Sequence, residues 1–309
     1  MPSPQTFFIT GASGSQGGAV ARKLLAAGHK VRALVRDPSK PTSLALQTQG
    51  ATLIPGAYDD ITALEEAATG CTGVFILTTP AKTPGQELRY AQNIIAASKG
   101  AGVKHAVCST VTRAEQSERF AFTVPGNASV ASYWEAKRGI QVAVQTAGFE
   151  SWTILQPGWL MTNWIAPVTG FYFAELKGEK ELISSFGEDT EIHLTDAEDV
   201  GGFAVKAFTE EGSGLRGKVV PVASEALTIG ECAEAMSGVS GVKIGWMIKS
   251  EEDIEKAKNF SPLVATQLWQ RYDGSKVDIE EVKSYGVPLT SFKQFLENHK
   301  EQLLAAVQD

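Results

Sequence analysis

The glycine-rich segment FFITGASGSQGGAVARKLL, residues 7–25, constrains the fold of this 309-residue chain more than any other part of it. An apolar run precedes the glycines, and Ala19, Val20, Leu24 and Leu25 recur after them at helical spacing. The segment therefore predicts a strand that turns directly into a helix. The first turn of such a helix presents unpaired N–H groups and a partial positive charge, which suit a pyrophosphate. We interpret the segment as a dinucleotide-binding loop.

The glycines follow the spacing G-x-x-G-x-x-G, at Gly11, Gly14 and Gly17, rather than the more usual G-x-G-x-x-G. We expect Gly11 to form a tight turn, since it has no Cβ. Gly14 would let a ligand approach the main chain, and Gly17 would let the helix pack closely on the strand. The alternative is a plain strand-to-helix turn that binds nothing, because glycine-rich turns are common.

Strand-like and helical patterns alternate up to Gln156, and this alternation predicts the fold class. It indicates an α/β protein with a doubly wound, mostly parallel Rossmann sheet whose ligands lie at the carboxyl ends of the strands. After Gln156 the pattern loosens and becomes rich in aromatic residues, glycine and proline. We therefore predict a Rossmann domain over 1–156 and a smaller, mainly helical substrate-binding region over 157–309. About 190–224 of that region is expected to return to the Rossmann sheet.

The end of the second predicted strand, LVRDPSK, bears on the choice of cofactor. In this fold an acidic residue there binds the ribose 2′-hydroxyl of NAD, whereas an arginine suits the 2′-phosphate of NADP. Arg36 lies at the tip of the strand, Asp37 follows it, and Lys40 is close behind. A guanidinium grips phosphate through paired hydrogen bonds, so Arg36 favours NADPH. If Asp37 faced the ribose instead, NAD would be preferred.

Tyr133 and Lys137 lie four residues apart in SYWEAK, on one face of a predicted helix. A nearby ammonium favours the phenolate, so the pair predicts a lowered tyrosine pKa and a proton donor for carbonyl reduction. The protonated Lys137 would also hold the nicotinamide ribose. Ser109 or Thr110, at the end of the fifth strand, offers a hydroxyl partner. The alternative is that Tyr133 only lines a pocket and Lys137 only binds ribose.

Composition argues against several other classes of protein. The net charge is −7 and no basic cluster is longer than a pair of residues, so we expect no nucleic-acid partner. No run of about 18 apolar residues predicts a membrane span. The start MPSPQT has no basic and apolar leader pattern, and the three cysteines are scattered without a zinc spacing. We therefore expect a cytoplasmic protein without a metal.

Together these motifs resemble the NmrA-like family, an atypical branch of the short-chain dehydrogenase/reductase superfamily. The resemblance covers nearly the whole chain. It is carried by TGASGSQGG, VRALVRDPSK, the Ser109/Thr110 strand end, YWEAK, LQPGWLMTN and TDAEDVGGFAVKAF. The pattern is similar to that of the quinone-oxidoreductase-like subgroup. The family includes NADPH-dependent reductases and also non-catalytic NADP(H) sensors that regulate transcription.

The resemblance implies roles for further residues. The pyrophosphate would be held by Thr10, Gly11, Ser13, Gly14, Ser15, Gln16 and Gly17, and the 2′-phosphate by Arg36 and Lys40. The nicotinamide end would meet Thr78, Thr79, Pro80, Lys137, Pro157 and Gly158. Trp159, Met161, Asn163 and Trp164 would lie at the mouth of the substrate pocket. The family's usual acidic residue after the third strand is replaced by Ala57, so we expect adenine to meet Tyr58, Asp59 or the backbone.

The resemblance leaves two functions open. Many relatives lack the tyrosine that this chain has as Tyr133, which favours an NADPH-dependent reductase of a carbonyl or quinone in a hydrophobic, aromatic small molecule. The alternative is a redox sensor that binds NADP(H) and regulates a protein partner, and a third reading is a structural protein with a decayed cofactor site. The aromatic cluster after the sixth strand could wall a substrate pocket or form an ordinary core. The sequence does not decide whether the chain forms a homodimer.

Overall fold

A computed structural model of the chain describes residues 3–81, 83–123 and 126–308. The strands are β1 (Thr6–Ile9), β2 (Lys30–Val35), β3 (Thr52–Pro55), β4 (Gly73–Ile76), β5 (His105–Ser109), β6 (Ser151–Pro157), β7 (Trp159–Leu160), β8 (Glu181–Ser184), β9 (Ile192–Thr195), β10 (Lys218–Val222), β11 (Glu225–Leu227) and β12 (Gly245–Ile248). The α-helices are α1 (Ser15–Ala26), α2 (Pro41–Thr48), α3 (Ile61–Ala68), α4 (Gln86–Gly100), α5 (Ser117–Thr123), α6 (Ala128–Thr146), α7 (Thr169–Tyr172), α8 (Leu176–Glu179), α9 (Ala197–Thr209), α10 (Ile229–Ser240), α11 (Glu251–Ala257), α12 (Pro262–Tyr272), α13 (Ile279–Ser284), α14 (Phe292–Asn298) and α15 (Lys300–Val307). Short 3-10 turns cover Ala114–Gln116 and Met161–Trp164.

The large sheet has the strand order β10-β6-β5-β4-β1-β2-β3, and all its neighbouring strands are parallel. Helices cover both faces of it, as parallel sheets require. On one face, apolar side chains of α1 and α9 pack against the strands. On the other face, α3, α4 and α6 do the same. The predicted fold class, a doubly wound parallel α/β sheet, is confirmed.

Strand β1 lies between β2 and β4. From β1 the chain adds β2 and β3 on one side of the sheet, and then β4, β5, β6 and β10 on the other. In doubly wound sheets the helices on the two sides of such a switch point part at the carboxyl ends of the strands and leave a crevice. The loops after β1, β4 and β5 therefore open toward one another. This topology places the glycine loop, the β4–α4 connection and the start of α6 around a common space.

The second half of the chain contributes both to this sheet and to a separate core. Strand β10 pairs in parallel with β6, and α9 packs beside α1. The remaining elements include two small sheets, of order β11-β9-β7 and β12-β8, which the sequence pattern did not reveal because their strands are only two to four residues long. Trp164, Phe173, Phe292 and Phe295 form part of the core around them. Within the described ranges, no helix combines the length and apolarity needed to cross a membrane.

Candidate active site

The glycine loop turns the chain sharply from β1 into α1. Gly11 has a φ of 64°, in the left-handed region that favours glycine, and its carbonyl accepts the Gly14 N–H at 2.9 Å. A Cβ added to Gly17 would lie 2.4 Å from the Gly11 carbonyl oxygen. The helix can begin this close to the strand only because residue 17 has no side chain.

The first turn of α1 is open to a ligand. Gly14 supplies no side-chain cap, and among the described residues no acceptor faces the N–H groups of Ser15, Gln16 and Gly17. A cavity of about 610 Å³ adjoins this turn, with residues 12–15 on one wall and 165–168 on another. Unpaired N–H groups at a helix start attract anions. The residues present therefore fit a pyrophosphate.

Thr10, a predicted pyrophosphate contact, has its side chain inside the protein. Its hydroxyl lies 2.9 Å from the Phe75 carbonyl oxygen and 3.0 Å from that of Leu77, and it accepts the Leu77 N–H at 2.8 Å. Thr10 is fully buried. It ties the ends of β1 and β4 together, whereas Ser13 and Ser15 in the same loop are exposed.

At the end of β2, the Asp37 carboxylate is engaged in its own turn with Ser39. Its Oδ1 accepts the Ser39 N–H at 2.9 Å and the Ser39 hydroxyl at 2.6 Å. These bonds lower the pKa of the Asp37 carboxyl, so it stays ionised inside its own turn. Arg36 and Lys40 are exposed, and Arg36 makes no hydrogen bond or ion pair with the described residues. Arg36 and Lys40 are thus both exposed cations at this strand end, while Asp37 is engaged with Ser39.

At the end of β3, Tyr58 is half-buried and its ring lies 5.6 Å from that of Tyr90. Burial raises the pKa of the Tyr58 hydroxyl, while the charges of Arg36 and Lys137 act to lower it. The hydroxyl is thus within electrostatic reach of both ends of the crevice. Asp59 is exposed beside it.

A buried charge pair lies where β4 ends and α6 passes. Lys137 Nζ donates to Glu87 Oε1 at 2.6 Å, and the Thr78 hydroxyl donates to the same oxygen at 2.8 Å. The side chains of Lys137 and Glu87 are only 4% and 5% exposed. Thr79 and Pro80, which follow Thr78, are exposed. Sequence reasoning identified Lys137 and Thr78 but missed Glu87, whose partner lies 50 residues away.

Tyr133 lies above this pair, with Lys137 Nζ 5.3 Å from its ring centre. Burial raises the pKa of the Tyr133 hydroxyl; the Lys137 ammonium lowers it by less, and the Glu87 carboxylate raises it further. The expectation of a lowered tyrosine pKa is therefore wrong, because it took no account of burial or of the glutamate. Burial also acts to lower the pKa of Lys137, but Tyr133 and Glu87 outweigh it, so the lysine stays charged.

The two hydroxyls at the end of β5 are engaged with other side chains. Ser109 donates to Gln16 Oε1 at 2.6 Å, and Thr110 accepts from Gln141 Nε2 at 2.8 Å. Both are buried. In the part of the chain that the structure describes, neither is hydrogen-bonded to Tyr133. Ser109 instead links the end of β5 to the first turn of α1.

The chain crosses from β6 to β7 through Pro157 and Gly158. Gly158 N–H lies 3.0 Å from the Val222 carbonyl oxygen and 2.9 Å from the Thr195 hydroxyl. A Cβ on Gly158 would lie 2.4 Å from the His193 carbonyl oxygen. Packing therefore requires glycine at this position. Gly158 lies at the carboxyl end of β6, where the sequence predicts the nicotinamide-binding site.

The four predicted substrate residues divide into two groups. Met161 and Trp164 are completely buried, and Trp164 stacks on Phe173 with ring centres 4.8 Å apart. They belong to the core of the second half of the chain and have no surface for a substrate in this structure. Asn163 is partly exposed, and Trp159 is 6% exposed. Asn163 is therefore the most accessible of the four, and Trp159 belongs to the same core as Met161 and Trp164.

Aromatic rings continue outward from Tyr133. Its ring lies 4.9 Å from that of Trp134, and its hydroxyl is within electrostatic reach of Tyr172. The Tyr172 ring lies 5.3 Å from Trp159, which in turn lies 5.4 Å from Phe186. We call this set, Tyr133, Trp134, Trp159, Tyr172 and Phe186, the aromatic wall. The Nε1 atoms of Trp134 and Trp159 are buried without a partner in the described structure.

A second cavity, of about 550 Å³, is lined by residues from 187–193 and 270–276. It contains none of the predicted site residues. The candidate active site is the crevice expected at the carboxyl ends of the strands, between the glycine loop and the Lys137–Glu87 pair. The cavity of about 610 Å³ lies at its glycine-loop end, and neither Lys137 nor Tyr133 lines that cavity.

The fold and this crevice define a doubly wound α/β protein with a glycine loop at a helix start and a tyrosine beside a buried lysine. A model of the NmrA-like family matches residues 3–261. The chain belongs to the NmrA-like family, which confirms the resemblance inferred from its motifs.

Named relatives share most of the chain. A (4-alkanoyl-5-oxo-2,5-dihydrofuran-3-yl)methyl phosphate reductase from Streptomyces griseus is 30% identical over 75% of this chain and 73% of its own. An NAD(P)H azoreductase from Xenophilus azovorans is 29% identical over 81% and 79%. Among solved structures, the negative transcriptional regulator NmrA in complex with NADP has a TM-score of 0.77 at 19% identity and covers 97% of both chains. This last likeness concerns the fold.

Replacement of Gly17 by alanine should distort the loop, because the new Cβ would collide with the Gly11 carbonyl. We expect a loss of about 1–3 kcal/mol in the free energy of unfolding, as for other overpacked sites. Thermal and urea unfolding of Gly17→Ala would measure it. Gly238→Ala, in the last turn of α10 with open space around it, is the matched control and should be neutral or stabilising. Equal stability of the two variants would contradict the packing argument.

Proposed function

We propose that this chain is an NADPH-dependent reductase that transfers hydride to a carbonyl or quinone group, or to a conjugated system, of a hydrophobic and aromatic small molecule. One observation carries the proposal: a protonated tyrosine, Tyr133, lies beside a buried, charged Lys137 in the crevice that begins at an anion-binding helix start. The named relatives that are reductases support the same class of reaction.

The residues present fit NADPH. The free N–H groups of Ser15, Gln16 and Gly17 would hold the pyrophosphate, and Arg36 would hold the 2′-phosphate, since Asp37 is occupied by its own turn. The Lys137 ammonium, fixed at the end of β4, would bind the nicotinamide ribose. When bound, NADPH supplies the hydride.

The proton that the reduction requires would come from the protein's own side chains. A hydride added to the carbon of a carbonyl leaves negative charge on its oxygen, and the Tyr133 hydroxyl would donate its proton there. The resulting phenolate would face the Lys137 ammonium, which stabilises it. A proton from solvent then restores the tyrosine. In total, NADPH, one proton and the carbonyl compound give NADP⁺ and the alcohol.

The aromatic wall supports a flat, apolar substrate. Tyr133 and Tyr172 are partly exposed and offer ring surface, whereas Phe186 is fully buried and contacts Trp159 with ring centres 5.4 Å apart. The relatives named for an azo compound and for an unsaturated dihydrofuran are reductases of conjugated molecules, in agreement with this proposal.

Steady-state NADPH oxidation should be measured with quinones, enones, aromatic ketones and azo dyes. We expect turnover with at least one of these classes, and a fall in kcat of about 100-fold or more for ketones in Tyr133→Phe, since general acids contribute at that level. Affinity for NADPH should not change. Tyr285→Phe, whose hydroxyl bonds to Glu281 outside the crevice, is the matched control. Tight NADPH binding without turnover on the whole panel would favour the redox sensor instead.

The choice of cofactor depends on Arg36. Replacement by glutamine should weaken NADPH binding by about tenfold to 100-fold, because one or two charge-assisted contacts to phosphate are lost. NADH binding should stay nearly constant, since NADH has no 2′-phosphate. Fluorescence titration of both nucleotides would measure the ratio. Arg89→Gln, on helix α4, is the control. A similar loss for both nucleotides would show that Arg36 does not bind the 2′-phosphate.

A further inference from the structure

Glu87 is a buried acid with no assigned role in the site. It lies in the first turn of α4, and one of its oxygens accepts from both Lys137 Nζ, at 2.6 Å, and the Thr78 hydroxyl, at 2.8 Å. Among the described residues, it is the sole ion-pair partner of Lys137. Glu87 therefore joins three elements of the crevice: α4, the end of β4 and α6.

Stability alone is a weak reason for such a pair. Removal of two charges from water is costly, and apolar replacements of buried pairs are often neutral or stabilising. The position of this pair is more informative, because Lys137 Nζ lies 5.3 Å from the centre of the Tyr133 ring. A fixed negative charge at Glu87 acts on the lysine directly and on the tyrosine through it.

We propose that Glu87 is a positioning residue of the reduction: its carboxylate fixes the Lys137 ammonium beside Tyr133 and offsets its charge, so that the tyrosine keeps its proton until transfer. The inference rests on the proposed function. Without Glu87, the Lys137 ammonium would lower the pKa of Tyr133 unopposed by a carboxylate, and burial alone would act to keep the proton on the tyrosine. With Glu87 present, Lys137 is charged and held in place, and the Tyr133 hydroxyl keeps the proton that it donates.

Other groups that face this pair carry no charge near neutral pH. Burial raises the pKa of the Tyr58 and Tyr172 hydroxyls, and it raises the pKa of the Cys108 thiol to about 12. Tyr58 follows β3, Cys108 lies in β5 and Tyr172 lies in α7. The charge of Arg36 acts to lower the pKa of the Tyr58 hydroxyl, but burial outweighs it. Glu87 is thus the acidic charge that balances Lys137 among the described residues around Tyr133.

The test replaces Glu87 by glutamine and measures kcat against pH. Activity requires a protonated Tyr133, so it is lost as pH rises through the tyrosine pKa. Loss of a nearby negative charge lowers that pKa, and the alkaline limb should therefore move to lower pH by about one unit or more. Glu87→Asp keeps the charge and should keep the limb in place, with kcat reduced by about tenfold to 100-fold through misplacement of Lys137.

A second readout does not depend on turnover. The chain has six tyrosines, and the ionisation step at 295 nm that is missing in Tyr133→Phe belongs to Tyr133. That step should occur at lower pH in Glu87→Gln than in the unsubstituted protein. Glu66→Gln, which removes an exposed glutamate near Arg32, is the control and should leave it unchanged.

The outcomes separate the two proposals. Absence of turnover in the unsubstituted protein would count against the reductase, while the tyrosine titration would still test Glu87. An unshifted Tyr133 titration and an unshifted alkaline limb in Glu87→Gln, even with reduced kcat, would overturn the role of Glu87. If Glu87→Gln failed to fold by circular dichroism, Glu87→Asp would decide, because a displaced limb in that variant would also overturn it.

Discussion

The close approach of α1 to β1 at Gly17 is the constraint on which the rest of the crevice depends. A Cβ there would lie 2.4 Å from the Gly11 carbonyl oxygen, so any side chain would push the helix off the strand. With glycine, the open N–H groups of the first turn face the switch point between β1 and β4. The Ser109–Gln16 and Thr10–Leu77 hydrogen bonds then tie the ends of β5, β1 and β4 to this turn. The anion site and the strand ends thus share one rigid frame.

The Lys137–Glu87 pair sets the electrostatic environment of Tyr133 within that frame. A lysine alone beside a tyrosine would favour the phenolate, whereas a lysine whose charge is offset by a buried carboxylate leaves the phenol intact. Burial of Tyr133 acts in the same direction. The local environment therefore suits a group that gives up a proton during reduction. The aromatic wall extends from this tyrosine and would keep an apolar substrate close to it.

Much of the large sheet could be predicted from sequence, because fully buried parallel strands are continuous apolar runs and amphipathic helices separate them. The i, i+4 spacing likewise placed Tyr133 and Lys137 on one face of α6. The rest depended on contacts between distant segments. Glu87 follows no local motif; its one signal is a glutamate in the first turn of the helix after β4. The direction of the tyrosine pKa was wrong chiefly because burial of Tyr133 outweighs the effect of Lys137, and Glu87 adds to the same shift. Met161 and Trp164 resembled pocket residues because core and pocket use the same aromatic and apolar side chains.

The most direct measurement of the central claim is the fate of deuterium from NADPH labelled at C4 on either face. The protein would be incubated with each labelled cofactor and a conjugated enone or unsaturated lactone, and the product examined by mass spectrometry and NMR. The account predicts that one of the two labels appears on a product carbon, where it does not exchange with water, while the other stays on the nicotinamide. The contrary result is a protein that is saturated with NADPH but forms no labelled product, with both labels retained at C4. That result would contradict the reductase function and leave a nucleotide-binding protein without reductase chemistry.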